Sequence, residues 1–180
     1  TLKDNGLYEN TIIIFAGDNG LAVGQHGLMG KQNVYEHSVG VPLMIKAAAQ
    51  HTGKKTADLC YLIDVFPTLC DMLQLPVPQS VDGISLLSSL DGKEPVRDYL
   101  YYSYMDNQRG ISDGTWKLIE YHVNGKRTTQ LFNLKNDPWE RNDLSGQKKY
   151  EKTIQRLREK MAEEQKRTND TSVFWNNFSY

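Results

Sequence analysis

The chain has 180 residues, of which 39% are hydrophobic and 24% charged, and its formal net charge is -1. These proportions are typical of a globular protein, and so balanced a charge provides no basic field for binding nucleic acid. The longest apolar runs are too short to cross a bilayer. We therefore expect a folded protein with no nucleic-acid partner and no membrane span.

The amino-terminal region begins with a short helical segment and an apolar strand. Residues 1–10 predict the end of a helix, with Gly6 as its cap. Residues 11–17, TIIIFAG, are apolar on both faces, which is typical of a strand covered on both sides in a parallel α/β sheet. A second strand is predicted over residues 41–45, because Pro42 is tolerated near the start of a strand.

A helix is predicted after Asp64, which can act as its N-cap, with Pro67 in the first turn. Leu69, Met72 and Leu73 share one face of this helix at helical spacing. A short helix-like segment then closes the region near residue 92. We interpret residues 1–92 as one domain.

The two cysteines, Cys60 and Cys70, do not form a disulfide framework. On one continuous helix they would lie about 15 Å apart, which is too far for a disulfide. Neither is next to a basic residue or in a C-x-x-C pair, so we expect two free, unreactive thiols.

Residues 93–180 have a different character and are interpreted as a second domain. Three aromatic-rich, β-prone segments are separated by the turns DGT and NG, which predicts a small antiparallel sheet. Residues 147–167 follow as an amphipathic helix. Its apolar stripe, which we expect to pack on the sheet, consists of Tyr150, Ile154, Leu157 and Met161.

Ligand-type side chains follow the first strand in a glycine-rich segment. Asp18 and Asn19 stand at the carboxyl end of the strand, where α/β sheets place their binding sites, and their oxygens suit a hard cation. Two donors cannot complete a shell of six to eight oxygens. Taken singly, Asp-Asn-Gly is equally a turn, His26 a loop histidine and Lys31 a solvated charge.

The combination resembles one family. Residues 10–45, NTIIIFAGDNGLAVGQHGLMGKQNVYEHSVGVPLMI, resemble the type I sulfatases of the alkaline phosphatase superfamily. The downstream segments LIDVFPTLCDML, GISDGTWKLI and QLFNLKNDPWERNDLS resemble it in the same order. The resemblance covers residues 1–166. It implies the carboxyl-terminal part of an alkaline-phosphatase-like α/β sandwich, followed by a small antiparallel sheet with a packed helix.

The resemblance also implies an activity and a site. Sulfatases hydrolyse sulfate esters with a formylglycine nucleophile and Ca²⁺, with Mg²⁺ less favoured. Asp18 and Asn19 match metal ligands, Lys31 matches the lysine that contacts the sulfate, and His26 matches a histidine near the substrate. Glu36 and His37 match supporting positions, and Gly40 replaces an arginine found in many relatives.

The departures from the family pattern are as informative as the matches. The formylglycine motif, the early pair of metal-binding aspartates and the upstream lysine and histidines of the pocket are all missing. We therefore expect a carboxyl-terminal fragment that is inactive alone, binds metal weakly and self-associates through an exposed sheet edge.

The expected substrate is a sulfated small molecule or carbohydrate, and a loop around Tyr104 and residues 106–109 is a candidate to face it. The resemblance implies a periplasmic or secreted bacterial protein. Two alternatives stay open. One is a phosphodiesterase or phosphonate monoester hydrolase of the same superfamily, and the other is a noncatalytic module on this scaffold.

Overall fold

The computed structural model describes residues 1–47, 53 and 55–172. The chain forms two compact units, one of Thr1–Asp18 with Val41–Asp98 and the other of Asn19–Gly40 with Tyr99–Tyr180. Residues 19–40 thus group with the carboxyl-terminal sheet, whereas the sequence analysis assigned them to the first domain. The division into domains at residue 92 stays a prediction.

The first unit contains a two-stranded ladder, in which β1 (Ile13–Ala16) pairs antiparallel with β4 (Leu43–Lys46). The parallel pairing predicted for this region is therefore wrong for these two strands. Their register continues one step further, where the Gly17 N–H donates to the Pro42 carbonyl oxygen over 3.1 Å. Within the described part of the chain this ladder has two strands.

The side chains of β1 are not covered on both faces in this unit. Phe15 is 57% exposed, and its direct partner across the ladder, Met44, is 60% exposed. Adjacent large apolar side chains are seldom left exposed to solvent unless they contact another surface. It follows that this face of the ladder is free for contact with another surface.

The helical part of the first unit consists of α2 (Val65–Met72) and α3 (Leu87–Leu90), and residues 1–10 form turns in place of the predicted helix end. Helix α2 buries Pro67, Thr68 and Cys70. The predicted face of Leu69, Met72 and Leu73 is not the most buried one, because Leu69 and Met72 are half-buried and Leu73, just beyond the end of the helix, is exposed. Cys60 and Cys70 are both free, as predicted.

Asp64 is the buried polar centre of the first unit. Its carboxylate accepts hydrogen bonds from the backbone N–H groups of Tyr61 and Ile84 and from the guanidinium of Arg97. Asp64 occupies the N-cap position of α2, as predicted, but its side chain makes no capping hydrogen bond there. Burial acts to raise the pKa of the Asp64 carboxyl, but the hydrogen bonds from Arg97, Tyr61 and Ile84 outweigh it and hold this pKa below its usual range. The folded state therefore favours the ionised form of Asp64.

The second unit is built on an antiparallel sheet, as predicted, and this sheet has four strands in sequential order. Its strands are β5 (Leu100–Tyr104), β6 (Gln108–Ser112), β7 (Trp116–Val123) and β8 (Lys126–Asn133). Helix α4 (Glu151–Arg167) packs on one face of this sheet. The predicted stripe is confirmed, because Ile154, Leu157 and Met161 are buried in one cluster and Tyr150 packs against it.

The opposite face of the sheet carries residues 19–40. These form the hairpin of β2 (Ala22–Val23) and β3 (Met29–Gly30), followed by α1 (Glu36–Val39). Val34 and Tyr35 are buried against Ile119 and Phe132, whereas the neighbouring residues of β7 and β8 face α4. Because side chains alternate along a strand, one sheet supports both layers.

A buried lysine joins three segments of the second unit. The Lys117 ammonium in β7 is fully buried and lies 2.8 Å from Glu36 Oε1 and 3.0 Å from Glu140 Oε1. The Glu36 N–H also donates to Glu140 Oε2 over 2.6 Å. The start of α1 and the turn after β8 are therefore fixed to the middle of the sheet by one charge.

No helix within the described residues is both long and apolar enough to span a bilayer.

We predict that Lys117→Met lowers the free energy of unfolding by about 3–5 kcal/mol, because it leaves the buried Glu140 carboxylate without its cation. Burial already raises the pKa of Glu140, with the Lys117 ammonium acting against this. A carboxyl with a raised folded pKa is destabilising when ionised, so the deficit should shrink as the pH falls through that pKa. Urea denaturation from pH 4 to pH 8 measures both effects.

The matched control for this lysine is Lys126→Met at the exposed start of β8, which should change stability by less than about 0.5 kcal/mol. Adding Glu140→Gln to Lys117→Met should restore part of the loss, because it removes the uncompensated charge. Equal losses in Lys117→Met and Lys126→Met would contradict the proposed role of the buried charge.

We predict that Asp64→Asn destabilises the first unit by about 3 kcal/mol at neutral pH, since Arg97 then lies buried without its anion. The Asp64 pKa is lowered by folding, so its contribution is complete above the ordinary carboxyl pKa and is lost as the pH falls through the folded value. The gap between wild type and variant should therefore close below about pH 4. Asp71→Asn on the exposed side of α2 is the control, and an equal loss there would refute the assignment.

Candidate functional site

The β2–β3 hairpin carries three of the four predicted site residues. Its register pairs Ala22 with Gly30, so Lys31 follows the last pair directly and Asn19 precedes it by three residues. Both therefore lie at the open end of the hairpin. His26 lies at the closed end, in the turn between the strands.

A close backbone contact fixes the position of Asn19. The N–H of the next residue, Gly20, donates to the Ser38 carbonyl oxygen in α1 over 2.9 Å. A Cβ atom on Gly20 would lie 2.0 Å from the His37 carbonyl oxygen, so only glycine fits here. The Asn19 Nδ2 in turn donates to the Gly20 carbonyl oxygen over 2.8 Å. Asn19 is thus held against α1.

Asp18 is the last residue of its segment in the first unit, and its side chain is exposed, as is that of Asn19. The oxygen donors of both residues fit a hard cation in type. Two donors are fewer than the six to eight that Ca²⁺ requires, and the described residues contain no group of three or more His, Cys, Asp or Glu placed to hold a metal. Their role as metal ligands stays a prediction.

Lys31 is exposed immediately after β3. Its carbonyl oxygen accepts a hydrogen bond from the Asn33 N–H over 2.9 Å, which fixes the backbone. No ion pair joins its ammonium to any acidic residue in the described ranges. The group is therefore placed as an available cation at the open end of the hairpin.

His26 is ordered by aromatic stacking. Its ring lies 4.0 Å from the Tyr35 ring at an angle of 4°, and the His37 ring lies 5.6 Å from His26. The backbone of His26 has a φ of +53°, a left-handed conformation that costs energy for a residue with a side chain. Tyr35 is fixed in turn because its hydroxyl donates to Gln130 Oε1 in β8 over 2.7 Å. The sheet thus orients the loop histidine.

The two residues that the sequence analysis treated as supporting have distinct roles. Glu36 binds Lys117 directly, which confirms a structural role. Burial lowers the pKa of the His37 imidazole, and the nearby His26 and Lys117 act in the same direction. His37 is therefore a neutral ring at physiological pH, and its Nε2 is buried with no hydrogen-bond partner among the described residues.

A cleft of about 710 Å³ opens beside these rings. It is lined by Gln25, His26, Glu36, His37, Gly40, Pro138, Trp139, Glu140 and Arg141. In the sequence, residues 138–141 stood out only as part of the segment QLFNLKNDPWERNDLS that resembles the family. The sequence signals for this cleft were a tryptophan and an arginine two residues apart. No periodic pattern distinguished them from ordinary loop residues.

The predicted polar loop near residue 104 does not present Arg109 as a ligand-binding group. Arg109 is buried in β6, and its guanidinium pairs with Asp170 beyond α4 at 2.7 Å. The same carboxylate accepts a hydrogen bond from the Tyr101 hydroxyl. Arg109 therefore ties the chain beyond α4 to the sheet.

Known proteins share this architecture. The model of the family described as N-sulphoglucosamine sulphohydrolase, C-terminal, matches residues 24–167. An N-acetylglucosamine-6-O-sulfatase of Bacteroides thetaiotaomicron is 30% identical over 182 aligned residues, which cover 94% of this chain and 32% of the relative. Among solved structures, one in complex with its substrate D-glucosamine-2-N,6-O-disulfate matches 97% of this chain and 38% of its own, with 28% identity and a TM-score of 0.79.

A phosphonate monoester hydrolase of Agrobacterium radiobacter is also similar, with 26% identity and a TM-score of 0.75, over 90% of this chain and 36% of that one. The chain thus spans about a third of the length of the relatives that it matches. The matched residues include the hairpin from Gly24 onward, α1, the four-stranded sheet and α4. The chain belongs to the sulfatases of the alkaline phosphatase superfamily, as a carboxyl-terminal portion with the N-sulphoglucosamine sulphohydrolase C-terminal domain.

Proposed function

We propose that this chain is the carboxyl-terminal part of a sulfatase that hydrolyses sulfate esters of carbohydrates. The observation that carries the proposal is the register of the β2–β3 hairpin, which puts Asn19 and Lys31 at the same open end. The choice of a sulfated sugar is supported by the similar structure that holds a disulfated glucosamine as its substrate.

Lys31 has the chemistry that sulfate ester hydrolysis needs from this part of the protein. The reaction breaks the bond between sulfur and the ester oxygen, and the departing oxygen must gain a proton. An ammonium is a compact cation with three donors, so it can bind sulfate oxygens and stabilise negative charge on the departing oxygen. His26, oriented by Tyr35, is proposed to bind the substrate beside it.

Asp18 and Asn19 are proposed to supply two oxygen ligands of a Ca²⁺ ion. Ca²⁺ is proposed in preference to Mg²⁺ because its coordination shell tolerates irregular geometry. When bound, this ion would neutralise charge on the sulfate oxygens. The formylglycine nucleophile and the remaining metal ligands are proposed to lie outside this chain, since it spans about a third of its relatives.

The exposed ladder of the first unit supports the proposal of an alkaline-phosphatase-like α/β sandwich. Phe15 and Met44 form an apolar pair on one face of β1 and β4. In a full-length sulfatase this face would be covered by strands and helices from outside the chain. In the isolated chain we propose that a second copy covers it.

Phosphonate monoester hydrolysis is the second candidate, and the similarity to the Agrobacterium enzyme favours it specifically. Both reactions place a tetrahedral anion against a cation such as Lys31, so the hairpin alone does not separate them. A noncatalytic module on the same scaffold is the third reading. Comparing turnover of an aryl sulfate with that of an aryl phosphonate by the full-length protein separates all three.

We predict that Lys31→Ala in the full-length protein containing this chain lowers kcat for an aryl sulfate by about a hundredfold or more, because one preorganised donor is lost. The control is Lys126→Ala, which removes an exposed lysine at the start of β8 and should leave kcat unchanged. The 180-residue chain alone should give no turnover. Unchanged kcat in Lys31→Ala would refute the role assigned to this lysine. Turnover by the isolated chain would refute the proposal that the nucleophile lies outside it.

We also predict that the isolated chain self-associates through the apolar pair of the first ladder. Light scattering at increasing concentration should show a mass above that of the monomer. Phe15→Ser combined with Met44→Ser should return the mass toward the monomer, because both exposed apolar side chains are then lost. Met105→Ser, which removes an exposed methionine from the second unit, is the control and should have no such effect. A clean monomer in the wild-type chain would contradict the prediction.

A further inference from the structure

We propose that the cleft beside His26 is a second carbohydrate subsite, which binds an anionic sugar residue adjacent to the one whose sulfate ester is hydrolysed. The inference rests on the proposed sulfatase function and adds to it a position for a longer, multiply charged substrate. It uses Trp139, Glu140 and Arg141, to which the predicted catalytic site gave no role.

The size and composition of the cleft fit a ligand. Its volume of about 710 Å³ is within the range of small-molecule sites, and it lies entirely within the second unit. Aromatic, cationic and hydrogen-bonding groups converge on it, which is the usual composition of a site that both holds and orients a ligand.

Trp139 provides the apolar surface. Its side chain is 69% exposed at the cleft, although tryptophan is normally among the more buried side chains. A flat indole offers a large apolar face with little conformational entropy to lose on binding. The C–H face of a pyranose ring is apolar and flat in the same way, so it can lie against this indole.

Glu140 anchors the backbone between the two exposed residues of the cleft. It is 2% exposed, with its carboxylate fixed by the Lys117 ammonium and the Glu36 N–H, and its backbone has a φ of +54°. Backbone strain of this kind persists only where the surroundings impose it, and it concentrates at ligand sites. The backbone on either side of Glu140, which carries Trp139 and Arg141, is thereby fixed.

Arg141 is the cationic side chain of the cleft that can meet an anion. Glu36 and Glu140 also line the cleft, and the one buried Lys117 ammonium, which pairs with both carboxylates, offsets one of their two negative charges. Arg141 is exposed at the cleft, and its planar guanidinium presents paired donors that match the oxygens of a sulfate or carboxylate group. The ring nitrogens of His26 and His37 add neutral hydrogen-bonding capacity.

The cleft and the predicted catalytic lysine are carried by one short element. His26 lines the cleft and Lys31 follows five residues later, so their Cα atoms are separated by at most roughly 17 Å. An oligosaccharide is long enough to bridge two positions on such a hairpin. The arrangement therefore suits a sulfated chain better than a single sugar.

The test measures binding to the 180-residue chain by calorimetry, with a sulfated glucosamine-containing disaccharide, its unsulfated counterpart and inorganic sulfate as the probes. The sulfated disaccharide should bind best. Trp139→Ala should weaken it about tenfold, and Trp139→Phe should restore most of the affinity because stacking is kept. Arg141→Ala should weaken the sulfated disaccharide about tenfold and leave the unsulfated one unchanged.

The matched control is Lys126→Ala, which removes one positive charge at the other end of β8 and should leave affinity unchanged. Circular dichroism and urea denaturation should show that both exposed-residue variants fold as wild type. Absence of measurable disaccharide binding, equal affinity for inorganic sulfate, or affinity unaffected by Trp139→Ala and Arg141→Ala would each overturn the subsite.

Failure of the subsite and failure of the sulfatase function give different results. Sulfate ester turnover by the full-length protein, without disaccharide binding that depends on Trp139, would overturn the subsite alone. Binding that depends on Trp139 and Arg141, in a full-length protein that does not turn over sulfate esters, would support the cleft as an anionic-sugar site and overturn the sulfatase function.

Discussion

The organisation of the second unit depends on one buried ammonium. Removing Lys117 from water is costly, and the cost is offset only because two carboxylates meet it at 2.8 and 3.0 Å. One of these comes from the start of α1 and the other from the turn after β8. The pairing therefore decides where the hairpin segment sits on the sheet, and with it the positions of His26 and of the cleft.

The sequence predicted the second unit well because its signals are local. Alternating apolar positions and the DGT and NG turns define the four strands, and the spacing of Ile154, Leu157 and Met161 defines the face of α4. In the first unit the positions of the two strands and of α2 were predicted, but the antiparallel pairing of the strands was not. An apolar run such as TIIIF indicates a buried strand. It contains no information about the direction of the neighbouring strands or about which part of the protein supplies them.

The candidate site shows the same division. The residues at the open end of the hairpin were found through their resemblance to a family, whereas composition and spacing left each of them equally compatible with a turn or a surface charge. The Lys117 pairing and the cleft were not found, because residues 36, 117 and 140 are far apart in the chain and no periodic pattern connects them. They meet because the start of α1 and the turn after β8 both lie against Lys117 in β7.

Strand β7 has a property that follows from its two covered faces. Lys117 and Ile119 face the hairpin segment, whereas Leu118 and Glu120 face α4, where Arg158 meets Glu120 at 2.7 Å. Inserting a single residue within this strand would move the residues that follow it to the opposite faces, and each charge would then meet apolar side chains or a partner of its own sign. A residue added in the turns at either end of β7 leaves these faces unchanged, so the turns tolerate insertions far better than the strand itself.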